Sequence, residues 1–296
     1  MKRATNTIDT QTSYYDQFAE FARIEHRNLS IKNGVTLNTK SFHPLIDKGY
    51  PPIVFVPGFA SVMESFTGTL IALAREFTVH YIETREKATS TVPENSSFSV
   101  RDIASDISEA VNTLDITARE YVLLTYSLGA TAAAESFDFI ITRKPLLLVL
   151  VEPSGIFRMP PWSLFTGRWF GWTFRYIKPL VKLYIKVFMV NTKEDYEMYM
   201  IVDRALDAAN PKKLIATFLA ISEYEIWNVL DKIDVPAIVI GASSDTFHSL
   251  GDAMEISTHI KGAEYIDMVT NKRTHSPEVA ECIKEFIQKL SVTSPG

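Results

Sequence analysis

A single cysteine, Cys282, is all the thiol chemistry that 296 residues carry. That excludes an internal disulfide framework and any multi-cysteine metal site, and its place in a helical pattern near the C-terminus reads as a buried core thiol. Also missing are G-x-G-x-x-G, the phosphate-binding G-x-x-x-x-G-K-[ST], H-E-x-x-H and any Cys/His cluster, so no nucleotide, metal or other cofactor is implied. Positive charge is not in excess: Lys and Arg number 30 against 35 Asp and Glu, a formal charge of −5. Phosphate backbones want a basic footprint, which argues against a nucleic-acid partner. No uninterrupted apolar stretch approaches about 18 residues. Met1 to Gln11 is polar and lacks the apolar core of a secretory leader, so a soluble, cytoplasmic protein is the default expectation.

What is present is apolar side chain, 46% of the residues, ample for one large domain or one domain carrying an insertion. Tyr15, Phe18, Phe21 and Ala22 recur at helical spacing and predict a short helix over 12–23, packed on the body. From Ile24 to Pro44 two runs flank Asn33-Gly34, a hairpin signal, so two antiparallel strands open the fold. The continuously apolar Ile53-Val54-Phe55-Val56 then predicts a strand buried on both faces. A helix over about Met63 to Arg75, a strand over Phe77 to Ile82, a helix over Val100 to Leu114, a strand over Tyr121 to Thr125, a helix over Ala130 to Ile141 and a strand within Pro145 to Pro153 follow.

Such alternation implies right-handed crossovers and an α/β fold with a mainly parallel sheet covered by helices on both faces. The alternation stops between about Ser154 and Asp231, where only helical patterns occur. It resumes with a strand within Pro236 to Gly241, a last strand around Tyr265 to Val269 and a helix from Pro277 to Leu290. The simplest organisation is an N-terminal extension over 1–23, a core over 24–153 and 232–296, and a helical insertion over 154–231. The insertion is hinged near Pro160-Pro161 and returns through Asp234-Val235-Pro236.

Within this frame Thr125-Tyr126-Ser127-Leu128-Gly129 reads as strand, sharp turn and helix. A serine at such an apex is lifted out of the sheet toward a base, and small residues two positions either side let strand and helix pass closely. Gly129 meets that need fully and Thr125 partly. Taken alone, the five residues fit a helix N-cap as well as a nucleophile. An acyl-transferring serine also needs a base and an acid that orients it. Asp245 follows a strand in Gly-Ala-Ser-Ser-Asp, and His275 precedes the last helix in Thr-His-Ser-Pro, where the proline can start that helix. For Asp245 a helix-capping carboxylate, and for His275 a surface histidine, remain the plain alternatives.

The order Ser, Asp, His at successive strand ends resembles the serine hydrolases of the α/β-hydrolase superfamily, esterase- or lipase-like, over roughly residues 24–290. The resemblance implies an α/β-hydrolase fold with a helical cap after the sixth strand. It makes Ser127 the nucleophile, His275 the general base and Asp245 the orienting carboxylate. The oxyanion hole would be the backbone N–H groups of Leu128 and of Phe59, the latter in Val-Pro-Gly-Phe-Ala. Glu152, ending the sixth strand, is the alternative acid, because some members take it from there; His248 lies close to Asp245 and is a competing histidine. His26, His43, His80 and His259 read as structural or solvated. Two segments depart from the family pattern. Pro57-Gly58 stands where His-Gly is usual, and Asp-x-Arg-Gly-x-Gly-x-Ser becomes Glu83-Thr84-Arg85-Glu86-Lys87-Ala88-Thr89-Ser90, which keeps the arginine and serine and loses both glycines.

Residues 156–193 hold seven basic residues and no acidic one, together with ten aromatics. Lys178, Lys182 and Lys186 recur every four residues, the mark of an amphipathic basic helix. The aromatics, with Trp162, Phe165 and Trp169 foremost and Tyr126 beside the serine, line a hydrophobic substrate pocket, or the basic aromatic surface makes weak contact with anionic lipid, or the aromatics are the insertion's own core. The resemblance implies a hydrolase of a hydrophobic carboxylic ester acting through an acyl-Ser127 intermediate on a small molecule. Thioester or lactone cleavage with the same triad, or a ligand-binding member without turnover, are the alternatives.

Overall fold

The computed structural model describes residues 14–114, 116, 120–138, 143–157, 174–184, 196–244 and 250–293. Strands β1 (Ala22–Ser30) and β2 (Thr36–Pro44) pair antiparallel through the expected turn, where Asn33 and Gly34 both adopt positive φ, 59° and 72°. Glycine, and asparagine among other residues, tolerate that region, which is why this dipeptide sets the hairpin register. The expected helix over 12–23 is corrected. Its described part is one helical turn at Tyr14–Asp16, and β1 already begins at Ala22, paired with Pro44. Phe18 is fully buried against the Phe42 ring, centroids 4.8 Å apart, so packing on the hairpin overrides the local helical period.

Strands β3 (Ile53–Val56), β4 (Val79–Ile82), β5 (Val122–Tyr126), β6 (Leu147–Val151), β7 (Ala237–Gly241) and β8 (Glu264–Asp267) are mutually parallel, and β2 joins β4 antiparallel. The order across the sheet is β1-β2-β4-β3-β5-β6-β7-β8. The chain leaves β3 for β4 on one side and returns to β5 on the other, so the strand order reverses between β3 and β5. Clefts in open parallel sheets form at such a reversal, outside the carboxyl ends of the strands.

Alternate residues of the central strands serve opposite faces. Val54, Val56, Leu123, Leu148 and Leu150 pack with helices α2 (Val100–Thr113), α3 (Leu128–Ser136) and α7 (Leu250–His259). Ile53, Phe55, Leu124, Val149 and Val151 pack with α1 (Thr67–Ala74) and α9 (Glu278–Thr293). Burial of both faces explains why the strands read as unbroken apolar runs. The Ser99 hydroxyl and Asp102 carboxylate cap α2 reciprocally. Cys282, on α9, is half-buried rather than a full core thiol.

Between β6 and β7 the described chain forms helices α4 (Phe174–Tyr184), α5 (Tyr196–Ala208) and α6 (Pro211–Ile221) and a 3-10 segment, Trp227–Lys232. An isolated bridge joins Ile156 to Glu225, and Ile226 N–H donates to the Gly155 carbonyl at 3.1 Å. The two stems of this segment therefore meet at Gly155–Ile156 and Glu225–Ile226; the expected hinge at Pro160-Pro161 lies outside the described residues. A short helix, α8 (Asn271–Thr274), separates β8 from α9.

Candidate active site

β5 ends at Tyr126 and α3 begins at Leu128, leaving Ser127 alone at the apex with φ 46° and ψ −116°. Its N–H donates to the Val151 carbonyl at 2.9 Å. A non-glycine residue held in this region costs of order 1–3 kcal/mol, and such strain gathers at functional sites. A side chain on Gly129 would put its Cβ 2.5 Å from the Pro57 carbonyl oxygen and 2.8 Å from that of Val56. Both are backbone atoms of the neighbouring strand exit, so only glycine fits. Thr125 is tolerated for another reason: it is fully buried, yet its hydroxyl donates to the Val149 carbonyl on β6 at 2.9 Å.

Because β3 runs parallel beside β5, Pro57-Gly58 emerges next to the serine. A Cβ on Gly58 would lie 3.0 Å from Ser127 Cβ and 3.8 Å from Ser127 Oγ. The chain then turns over Gly58–Ser61, with Ala60 left-handed at φ 50°, and brings Phe59, partly exposed, to the edge of the site. Leu128 is the first residue of α3, where N–H groups lack intrahelical partners and carry the positive end of the helix dipole.

His275 follows α8, and its ring packs against both Phe66 and Tyr126, each with centroids 5.3 Å away. The histidine segment is tied down from three sides. The Tyr126 hydroxyl donates to the Thr274 carbonyl at 3.0 Å, the Thr69 hydroxyl donates to the Ser276 carbonyl at 3.1 Å, and a Cβ on Gly68 would stand 3.2 Å from the His275 carbonyl oxygen. Burial raises the Tyr126 phenol far above its ordinary range, so it stays a donor. Tyr126 is 2% exposed, and its hydroxyl supports the histidine segment.

The Nδ1 atom of His275 lies 3.0 Å from the Asn271 carbonyl oxygen and 3.1 Å from the Thr274 hydroxyl, which is 2.7 Å from Glu152 Oε1. A hydroxyl has one proton, and a carboxylate is its strongest acceptor here. With the hydroxyl donating to Glu152, Thr274 and the Asn271 carbonyl both accept from Nδ1–H, which assigns the Nδ1–H tautomer and leaves Nε2 as the basic nitrogen. Glu152 itself is buried, left-handed at φ 50°, and donates its N–H to the Ile240 carbonyl at 2.7 Å. The site thus gathers Ser127, His275, Glu152, Leu128 and the Gly58-Phe59 turn at the carboxyl ends of β3, β5 and β6. Asp245, His248, Trp162, Phe165 and Trp169 lie outside the described residues. The chain leading to Asp245 is placed, with Ser244 N–H donating to the Val269 carbonyl at 2.8 Å and Val269 left-handed at φ 66°.

Sequence reasoning missed Thr274, Lys87 and Lys213. Lys87 is buried; its Nζ lies 2.6 Å from the Gly58 carbonyl oxygen, 3.0 Å from that of Ser61, 3.2 Å from Ser61 Oγ and 3.3 Å from Glu86 Oε1. Arg85 grips Asp106 through two hydrogen bonds of 2.6 Å, and Ser90 Oγ donates to the Glu83 carbonyl at 2.8 Å. Lys213, on α6, donates to the carbonyls of Arg85, Lys87 and Ser90 at 3.1, 2.9 and 2.6 Å. Burial lowers its ammonium pKa, with Glu86 opposing. The signal that could have found these residues was the departure of 83–90 from the glycine pattern.

Lys178 and Lys182 do not form a solvated basic face. Lys178 Nζ is 3.0 Å from Asp207, and Lys182 Nζ is 2.8 Å from both Asp203 and Asp207 on α5. Among the described side chains of α4, Tyr176, Leu180 and Leu183 are exposed large apolar residues, at 76%, 66% and 55%. Among the described residues no group of three or more His, Cys, Asp or Glu could hold a metal ion, and no helix is long and apolar enough to cross a membrane.

The strand order and the turn after β5 define the α/β-hydrolase fold, and comparison with solved structures shows the same. A thermophilic esterase from Thermogutta terrifontis superposes with a TM-score of 0.73 at 16% identity, covering 90% of this chain and 99% of that one. The enol-lactonase from Burkholderia xenovorans LB400 gives 0.70 at 15% identity, over 90% of this chain and 100% of that one. A putative lipase from Acinetobacter baumannii AYE gives 0.68 at 13% identity, over 99% of each. No family model and no curated protein sequence matches the chain.

Proposed function

We propose that the chain is a serine hydrolase that cleaves a hydrophobic carboxylic ester through an acyl-Ser127 intermediate. The observation that carries this reading is the left-handed Ser127 turn, with the His275 ring on Tyr126 behind it and the Gly58 turn in front. His275 Nε2 takes the hydroxyl proton as Ser127 Oγ attacks the ester carbonyl, and the N–H groups of Leu128 and Phe59 receive the oxyanion. The tetrahedral species expels the alcohol, which takes its proton from His275. Water, deprotonated by the same imidazole, then releases the acid and restores Ser127. Asp245 is the orienting carboxylate in this reading. A second reading is favoured by the Glu152–Thr274–His275 contacts, in which Glu152 orients the imidazole through the threonine hydroxyl.

Residues 154–231 act as a cap. In support, Lys213 of α6 reaches the loop after β4, at the carboxyl end of the sheet. The aromatic residues Trp162, Phe165 and Trp169 suit the apolar part of a substrate. Lactone or thioester cleavage uses the same machinery, and the structural neighbours include both esterases and a lactonase. Contact of α4 with a lipid surface is a further part of the reading, supported by Tyr176, Leu180 and Leu183 and not by the paired lysines.

The test is a p-nitrophenyl ester series of increasing acyl length, beside a thioester, a lactone and a lysophospholipid, with fluorophosphonate labelling of the serine. Wild type should turn over at least one class and take the label at Ser127; Ser127→Ala should fold and do neither. Label without turnover on any substrate would favour the ligand-binding alternative. Retained hydrolysis by Ser127→Ala would sink the assignment.

A further inference from the structure

We propose that Lys87 is the positioning residue of the oxyanion hole, clamping the Gly58 carbonyl and thereby aiming the Phe59 N–H at the Ser127 site. The proposal rests on the serine-hydrolase reading and adds to it a residue in one of the two segments that depart from the family pattern. A trans peptide unit is planar, so the C=O of Gly58 and the N–H of Phe59 point in opposite directions and turn together. Fixing the carbonyl fixes the amide. The Gly58 carbonyl accepts from Lys87 Nζ at 2.6 Å, from Ser61 Oγ at 2.7 Å and from Ser61 N–H at 3.4 Å. A rotation of this peptide away from the serine would break all three bonds.

The ammonium does more than a neutral donor could. It spans the turn, donating to the carbonyls of Gly58 and Ser61 and to the Ser61 hydroxyl, with Glu86 Oε1 beside it at 3.3 Å. Ala60, between them, is left-handed at φ 50°, a conformation that persists only where its surroundings over-determine it. A cation on the carbonyl oxygen also polarises the amide, which makes the Phe59 N–H a stronger donor to a developing oxyanion. Lys87 is itself held, by Lys213 on the carbonyls around it and by the Arg85–Asp106 pair at the base of the loop. The two departing segments are therefore one unit: a lysine from the second occupies the turn of the first.

The experiment compares wild type, Lys87→Met, Lys87→Arg and Ser61→Ala in p-nitrophenyl ester hydrolysis. Folding is checked by thermal melting and active sites are counted by fluorophosphonate labelling. A folded Lys87→Met should lose about ten- to a hundredfold in kcat per labelled site, with KM within about threefold and the pH profile unchanged, because the His275 segment is untouched. Lys87→Arg should recover part of the loss. An unchanged kcat, or a loss carried wholly by KM, overturns the proposal. Should Lys87→Met fail to fold, Ser61→Ala carries the test, with a fall of about three- to tenfold expected and no fall overturning it. Should wild type turn over no ester, the functional reading fails separately. The clamp is then read from amide hydrogen exchange over residues 57–61, where faster exchange in Lys87→Met or Ser61→Ala supports it and equal exchange overturns it.

Discussion

The Thr274 hydroxyl donates to the Glu152 carboxylate at 2.7 Å while lying 3.1 Å from Nδ1 of His275, so a buried acid just past β6 is one hydroxyl away from the imidazole. Glu152 is thus one candidate to orient the histidine, and Asp245, the acid of the proposed reading, is the other. They separate by mutation. With Asp245 as the acid, Asp245→Asn should lower kcat by about three to four orders of magnitude, because the imidazole loses its tautomer. Thr274→Val and Glu152→Gln should each cost about tenfold or less, as adjustments of position. Steady-state kinetics of the three variants decide it: a larger loss for Glu152→Gln than for Asp245→Asn assigns the acid to Glu152.

Much of the frame was legible in the residues. Unbroken apolar runs gave the central strands because both sheet faces are covered, and Asn33-Gly34 gave the hairpin because few other pairs accept two positive φ values. The sharp turn at Ser127 was legible through Gly129, whose missing Cβ is demanded by the Pro57 carbonyl oxygen. The helix expected over 12–23 failed because the partners of Phe18 and Ala22 come from β2, far along the chain, and tertiary pairing overrides a local period. Thr274, Lys87 and Lys213 were illegible for a related reason. The two lysines act on backbone carbonyls, which have no letter in the sequence, and Thr274 acts through Glu152, whose contact with it is made only by the fold. The lysines of α4 misled because their partners, Asp203 and Asp207, stand on the next helix but one turn of sequence pattern cannot show which faces meet.

The turn after β5 is predicted to tolerate change unequally on its two sides. Gly129→Ala drives a methyl against two backbone oxygens at 2.5 and 2.8 Å, with no flexible side chain to yield. It should destabilise by about 2–4 kcal/mol, read as a lowered urea midpoint with unchanged slope. Thr125→Ala removes one hydroxyl bond to the Val149 carbonyl and leaves the β5–β6 pairing in place. About 1 kcal/mol is expected. Equal losses for the two variants would contradict the close-approach explanation of Gly129.

Helix α4 carries the prediction for lipid. Lys178 and Lys182 are engaged by α5, and their neutralisation should lower thermal stability more than vesicle affinity. Tyr176, Leu180 and Leu183 recur on one exposed side, and apolar burial at an interface scales with such area. Replacing all three with serine should abolish cosedimentation with phosphatidylcholine vesicles, and raised salt should change wild-type binding little. Binding that vanishes in salt, or survives the triple substitution, removes α4 from any lipid contact.

Acid stability should be set in part by His80. Burial, first, and then the charges of His43 and Arg27 push its pKa from 6.5 down to about 4. Its Nδ1 sits 2.8 Å from the Ser41 hydroxyl, across the β2–β4 pair. Above pH 6.5 the imidazole is neutral in folded and unfolded chains alike and has no pH effect. Between pH 6.5 and about 4 the unfolded chain takes up a proton that the folded one refuses, so stability falls as pH falls. Complete protonation of the unfolded state across that window amounts to a loss on the order of 3 kcal/mol. His26 and His43 are also lowered by burial and add losses of the same sign, and carboxylates titrate in the same range, so the wild-type curve alone does not isolate His80. The difference from His80→Gln does. Urea midpoints at pH 7.5, 5.5 and 4.5 should converge on acidification, the variant starting lower at neutral pH because Ser41 loses its partner, and losing less below pH 6. Parallel curves would show that the His80 proton is not linked to folding.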